Sequence, residues 1–307
     1  MLANFKAPLF LINLPHRKKR LLSAISQLEN LGLENPIIKV TATHGDNIQK
    51  NCHQYLSVTA LDNLIKKRGK TAFISTWNAL GCAVSHYKSW KQLVDYNFPF
   101  AFIVEDDIEI TDTTQFLQQF QMCQHTIMST NKPMIYLFNT NLKNVSVVKT
   151  YDDNITAFTG KFTSTHFYAI NKAAAKILVD KIIPFKFQVD IQLGLISTMV
   201  GITLLNVGGN FIRQNPSFET DIQIPIYNQQ FCKKIAQQLR IPDEIASIIV
   251  KYLGDNSGTK DNLYNSSSQN SSNYYNSSSY YNNSGYHTNS YSESMSLPYI
   301  NTYNLNN

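Results

Sequence analysis

The sequence predicts a single α/β domain over residues 1–225, built on a mostly parallel sheet covered by helices. A helical appendage (226–254) and a disordered Asn/Ser/Tyr-rich tail (255–307) follow it. Three observations predict this. Strand-length runs such as PLFLINL and FAFIV are apolar at every position but Asn13, which requires burial on both faces of a sheet. Segments with helical periodicity lie between them. The composition changes abruptly at Asp255, beyond which Asn, Ser and Tyr make up 36 of 53 residues.

The elements follow in order. Pro8–Leu14 is a continuous apolar run, and the RKKRLLSAISQLENLG that follows sets Leu21, Leu22, Ile25, Leu28 and Leu31 on one stripe before stopping at Gly32. PIIKVTA (36–42) is a second strand, and residues 56–68 form a helical stretch. WNALGCAVSHYKSWKQLVDYN (77–97) is a helix with an apolar arc through Leu80, Val84, Tyr87 and Val94, along which the Lys91 stem snorkels. Phe100–Val104 is a third strand, and a helix starts at Thr114 behind Asp112. MIYLF (134–138) and THFYAI (165–170) are strands. NKAAAKILVDKI is a helix capped by Asn171 and ended by Pro184, a short helix starts at Asp190, and ITLLNV (202–207) is a last strand. In FCKKIAQQLRIPDEIASIIVKYLG (231–254) one basic helix precedes a second with Ile245, Ile248, Ile249 and Tyr252 on one face. That pair either packs on the domain or serves a protein partner. The tail has too few aliphatic residues to offset the entropy of ordering.

Charge sits in the folded part: residues 1–254 hold 26 basic and 18 acidic side chains. This balance suits an anionic partner such as phosphate. Nucleic acid is not the expected one, because the aromatics lie inside apolar runs and not among Lys and Arg. Four cysteines without a CxxC fit a reduced, cytoplasmic setting, and the basic surface permits peripheral membrane attachment. In the N-terminal stretch the apolar run precedes the basic residues, the reverse of a secretory signal. No run reaches the roughly 18 apolar residues of a membrane span.

The chemistry centres on FAFIVEDDIEI. Ligands of open α/β sheets bind beyond the carboxyl ends of strands, where Glu105, Asp106 and Asp107 stand. In extended chain Glu105 and Asp107 point one way and Asp106 the other, so two carboxylates could converge on a hard cation, Mn²⁺ or Mg²⁺. An arbitrary acidic triplet is more often a solvated loop; the buried strand, the basic domain and the alternating fold shift the balance. Such a site suits a diphosphate substrate. Arg17, Lys18, Lys19 and Arg20 could contribute to it, although Lys18 and Lys19 read as a solvated first turn. His86 shares its helix with Cys82, either as a nucleophilic pair or, more in keeping with a helix buried on both sides at Gly81 and Cys82, facing the ligand or bonded internally. His166 is a further candidate metal ligand.

Taken together and in this order, INLPHRKKR, ATHG (42–45), GCAVSHYKSW (81–90), FIVEDDIEI, STHFYAINKAAAKIL (164–178), PFKFQVD (184–190) and IRQNPSFETDIQ (212–223) resemble glycosyltransferase family 25 over about residues 8–224. The family includes lipopolysaccharide sugar transferases and collagen galactosyltransferases. The resemblance implies a GT-A fold, a nucleotide-sugar donor, usually a UDP sugar, a divalent metal, inversion at the anomeric carbon, and a glycan or protein acceptor. By position it implies Glu105 and Asp107 as metal ligands and Asp106 as a donor or supporting contact. It also implies Asn13, Arg20 and Gly45 in the walls of the nucleotide pocket. Pro15 stands where family members carry an acidic residue, and Ser164-Thr165 where they carry Gly-Thr.

An inverting transfer needs a carboxylate across the cleft to take the acceptor's proton. Asp190 is the candidate base, with a helix N-cap as its alternative role, and Asp221 is the second candidate. Other functional readings are a metal-dependent nucleotidyl- or phosphotransferase, and a decayed family member that recruits a partner through 231–307.

Overall fold

Alternate residues of each central strand enter opposite cores, which is why the strands are apolar at all but their last position. In β1 (Leu9–Asn13), Phe10 and Ile12 face one core while Leu9 and Leu11 face the other; β3 (Phe100–Glu105) divides the same way. The computed structural model describes residues 5–65, 73–142, 145–151 and 154–219. All of them lie in the first of the chain's two units, Met1–Asp255; the second is Asn256–Asn307. The expected appendage and tail lie outside the described residues.

β1 leads into α1 (Lys18–Asn30), then β2 (Ile37–Thr41), a short α2 (Gly45–Ile48), a 3₁₀ turn (Gln49–Gln54) and α3 (Val58–Ile65). α4 (Trp77–Asp95) is capped by Thr76, whose hydroxyl accepts from the Ala79 N–H at 3.0 Å. After β3 come β4 (Ile108–Ile110) and α5 (Thr113–Met128), the latter capped by Asp112. β5 (Met134–Phe138), the hairpin β6 (Val145–Thr150) and β7 (Ile155–Gly160), and β8 (Phe167–Asn171) follow. α6 (Lys172–Lys181) is capped by Asn171 as expected, and α7 (Val189–Val200), β9 (Thr203–Val207) and β10 (Ile212–Gln214) complete the described chain.

The main sheet has the order β2-β1-β3-β8-β5-β9-β7-β6. Six of its eight strands share a direction; β7 and β8 run against the rest. This is the expected Rossmann-like α/β architecture, with β8 reversed between β3 and β5. Helices α3, α4, α6 and α7 cover one face, and α1 and α5 the other. The second core is aromatic: Phe102 stacks on Phe120 at 4.2 Å, with Phe116, Phe138 and Phe167 around them. Full burial of each ring contributes about 1.5–3 kcal/mol. A separate two-stranded ladder joins β4 to β10.

Candidate active site

Glu105 ends β3, but Asp106 and Asp107 form a turn before β4, so the strict alternation expected of an extended triplet does not hold there. The turn is pinned from both sides. Asp107 carbonyl accepts from the Asn215 N–H at 2.6 Å, and Asp106 is drawn beneath the strand ends by Asn13 and Arg20. The Asn13 Nδ2 donates to Asp106 Oδ2 at 2.6 Å, and an Arg20 guanidinium nitrogen donates to Oδ1 at 3.2 Å. Both Asp106 and Arg20 are buried. Arg20 also donates to the Glu219 carbonyl, lies 3.8 Å from Asp107 Oδ2, and stacks over Phe218.

The two aspartates therefore differ. Both oxygens of Asp106 are engaged by protein donors, whereas Asp107 Oδ1 is buried with no protein partner. Burial pushes both carboxyls up. For Asp107, the charge of Glu105 adds to this against the opposing Arg20, and its carboxyl is raised to about 7. This is a carboxylate cluster short of positive charge.

Glu105 is held differently. The Trp90 indole N–H, which only donates, reaches the Tyr168 hydroxyl oxygen at 2.8 Å. Glu105 is an ionised carboxylate and only accepts, so His86 Nε2 carries the proton that faces Glu105 Oε1 at 3.3 Å, and in the neutral ring Nδ1 accepts from the Tyr168 O–H at 3.0 Å. The Thr165 hydroxyl donates to the same oxygen at 2.9 Å. Burial raises the Glu105 carboxyl, but the His86 and Thr165 contacts outweigh it and hold it below its ordinary value.

The cleft beside these groups is lined by Ile12 of β1 and Leu14 just beyond it, by Ala42, Thr43 and His44, and by Asn78, Cys82, Ser85 and His86 of α4. Arg20, the three carboxylates and Gln214 complete it. The 42–45 loop is locked on α4. The Thr43 N–H donates to Ser85 Oγ at 2.8 Å, and the Gly45 N–H to Asn78 Oδ1 at 3.0 Å. At Gly81 an added Cβ would lie 2.2 Å from the Thr43 carbonyl oxygen, so the close approach requires glycine, in line with the packing expected of this helix. Of the expected donor contacts, Arg20 lines the cleft. Asn13 is not among the lining residues; its Nδ2 donates to Asp106 and the Arg17 carbonyl while its buried Oδ1 has no protein partner, and Gly45 is pressed against Asn78.

Asp190 sits in the first turn of α7, two residues beyond the N-cap position, Gln188 being the cap. Its carboxylate accepts from the Ile191 N–H at 2.7 Å and the Ser164 N–H at 3.1 Å. Burial nevertheless keeps its carboxyl above the ordinary value. Residues 164–166 tie it to Glu105: Ser164 N–H bonds Asp190, Thr165 Oγ1 bonds Glu105, and the His166 carbonyl accepts from the Glu105 N–H at 2.9 Å. Burial and then the fields of Glu105, Asp190 and Asp107 raise the Cys82 thiol well above its ordinary value, which disfavours the thiolate that a Cys–His nucleophile needs. Asp221 lies outside the described residues. Among the described residues no three His, Cys, Asp or Glu side chains converge as a metal cluster. Sequence reasoning missed Thr165 and Gln214. Thr165 sits in a quoted motif; Gln214 has no local signal, being brought in only by the β10–β4 ladder.

Fold and cleft together define a Rossmann-like α/β domain whose acidic site opens where β1 and β3 end. The chain belongs to glycosyltransferase family 25 (LPS biosynthesis protein), whose model matches residues 6–193. No curated protein matches it. Among solved structures it is similar to the mannose-1-phosphate geranyltransferase from Thermus thermophilus, with 9% identity over 68% of this chain and 75% of that one and a TM-score of 0.37. No helix among the described residues is long and apolar enough to cross a membrane.

Proposed function

We propose that this glycosyltransferase has a GT-A-type site that moves a hexose from a nucleotide sugar, UDP-linked in the first instance, to a hydroxyl of a glycan or protein acceptor, with inversion. One observation carries the reading. Asp190 and Glu105 are bridged by the three residues 164–166, which supports pairing Asp190 as base with a carboxylate cluster in want of a cation.

The residues present fit a divalent metal of the substrate-completed kind. Asp107 Oδ1 is buried without a protein partner, and Glu105 Oε2 has only a 3.4 Å contact from Gln214. Mg²⁺ and Mn²⁺ commonly take one or two carboxylates and complete their shell with phosphate oxygens and water. Glu105 and Asp107 would hold the ion, and Asp106 would brace the turn. Bound there, the ion supplies neutralisation of the departing diphosphate.

The chain's own groups do the rest. Ile12, Leu14 and the 42–44 loop wall the nucleotide side of the cleft. Asp190 takes the proton from the acceptor hydroxyl as that oxygen bonds the anomeric carbon, and the bond from that carbon to the diphosphate oxygen breaks on the opposite side. A carboxyl raised by burial is a stronger base than an exposed one, which suits the task.

The test is turnover of labelled UDP sugars by the purified chain with Mn²⁺, with chelator, and in Asp107→Ala. Chelator-sensitive hydrolysis or transfer that Asp107→Ala abolishes is expected. Purified protein that binds neither Mn²⁺ nor any nucleotide sugar would sink the reading.

A further inference from the structure

Two adjacent local costs meet on one imidazole. Ser164 has φ +83°, the left-handed region that is unfavourable for a non-glycine residue. Its hydroxyl lies 2.5 Å from His166 Nδ1. The other ring nitrogen, Nε2, is buried with no protein partner, in a residue only 3% exposed. Leaving such a group unsatisfied is destabilising, because its desolvation is not offset by a hydrogen bond. A glycine at 164 would remove the strain, and an apolar side chain at 166 would remove the orphan. The residues present instead fix the ring and leave one buried nitrogen without a protein partner.

The location says what for. His166 lies opposite Glu105 at the end of the β3–β8 ladder, where their backbones are bonded, and cross-strand partners project to the same face of a sheet. Ser164, which holds the ring, is also the residue that donates to Asp190. The imidazole therefore belongs to the bridge between the two carboxylates of the proposed machinery. In either tautomer Nε2 offers one hydrogen bond, as N–H or as lone pair, and a sugar hydroxyl satisfies both cases.

We propose that His166 Nε2 is a specificity contact for a sugar hydroxyl held between Glu105 and Asp190, positioned by the Ser164 hydroxyl. This rests on the sugar-transfer reading above. The hydroxyl belongs to the donor hexose or to the acceptor, and the arms of the experiment separate the two.

The full-length chain and its His166→Ala, His166→Phe and Ser164→Gly variants are titrated with UDP, GDP and ADP and with the corresponding hexose conjugates, in Mn²⁺. Donor hydrolysis and transfer to saccharide acceptors are measured in parallel. For a donor contact, both His166 variants lose about tenfold affinity for the sugar conjugate while the parent nucleotide binds as before; tenfold corresponds to one hydrogen bond of about 1.4 kcal/mol. For an acceptor contact, donor affinity stays unchanged and the acceptor KM rises about tenfold. Ser164→Gly, which frees the ring without removing it, gives a smaller shift in the same direction. His166→Phe preserves ring volume and guards against collapse of the site, checked by thermal melting. Unchanged conjugate affinity and acceptor KM in both His166 variants would mean that Nε2 meets only buried water, and would overturn the inference alone. Equal loss of nucleotide and conjugate binding, or a fall in Tm without a change in either readout, would also overturn it by assigning the ring to the fold. A wild-type chain that binds no conjugate overturns the sugar-transfer reading itself and this inference with it.

Discussion

The Trp90 indole nitrogen lies 2.8 Å from the Tyr168 hydroxyl, and that contact begins a chain of hydrogen bonds that runs through His86 to Glu105. Tyr168→Phe breaks the chain at its middle. It strands the Trp90 N–H and His86 Nδ1 in the core, so a loss of about 1–3 kcal/mol is expected in denaturant melts. It also releases the His86 tautomer, so turnover is expected to fall more than donor affinity. Unchanged stability would show that the relay is not formed.

Asp106 and Asp107 are expected to separate stability from activity. Asp106→Ala leaves Arg20 buried without its closest carboxylate, a loss of about 3 kcal/mol in urea unfolding. Asp107→Ala removes a buried oxygen that has no protein partner, so the metal-free protein is expected to be as stable as wild type or more so, while turnover is lost. If both variants destabilise alike, the division between brace and ligand is wrong.

Gly81→Ala forces a methyl group against the Thr43 carbonyl, which belongs to backbone and cannot swing away. The expected cost is about 1–3 kcal/mol, as for other overpacked sites. Because Thr43 walls the cleft, donor affinity should weaken with it. A thermal melt beside a donor titration checks both, and wild-type values in each would refute the close approach.

Asp190 gives a pH dependence of defined sign. Burial raises its carboxyl in the folded chain above the unfolded value of about 3.9. Between the two values the folded state binds more protons, so stability falls as pH rises through that window. Asp190→Asn should flatten this slope in melts from pH 4 upward. The acidic limb of turnover should shift in the same sense, because the base must lose that proton to act. Identical slopes in wild type and Asp190→Asn would remove Asp190 from the account.

Ser164 tests backbone strain. At φ +83°, Ser164→Gly is expected to be about 1 kcal/mol more stable than Ser164→Ala, since neither retains the hydroxyl and only alanine keeps the Cβ. The difference in denaturation midpoint between these variants measures it, and no difference would place the residue outside the left-handed region.

The long elements were legible because their signals are local: apolar runs for β1 and β3, and Asp112 and Asn171 as caps for α5 and α6. The β6–β7 hairpin went unread. β6 is exposed along almost its whole length and so lacks the apolar signature used to find strands. The three-residue strands β4 and β10 exist through each other and carry little signal alone. At the site, the acidic triplet and Asp190 stood out by residue type. The placement of Asn13 behind Asp106, and the turn that replaces extended chain at 106–107, depend on partners nearly a hundred residues apart.

Reversing one strand changes which end of the chain serves the cleft. In a wholly parallel sheet a rim receives only segments that leave strands. β8 runs the other way, so the segment that enters it arrives at the rim where β3 finishes. Ser164, Thr165 and His166 ride in on that approach, and α7, the second helix after β8, brings Asp190 back to meet them. Two carboxylates 85 positions apart along the chain are thus coupled through three consecutive residues, and a one-residue insertion before Phe167 would uncouple them without disturbing either strand.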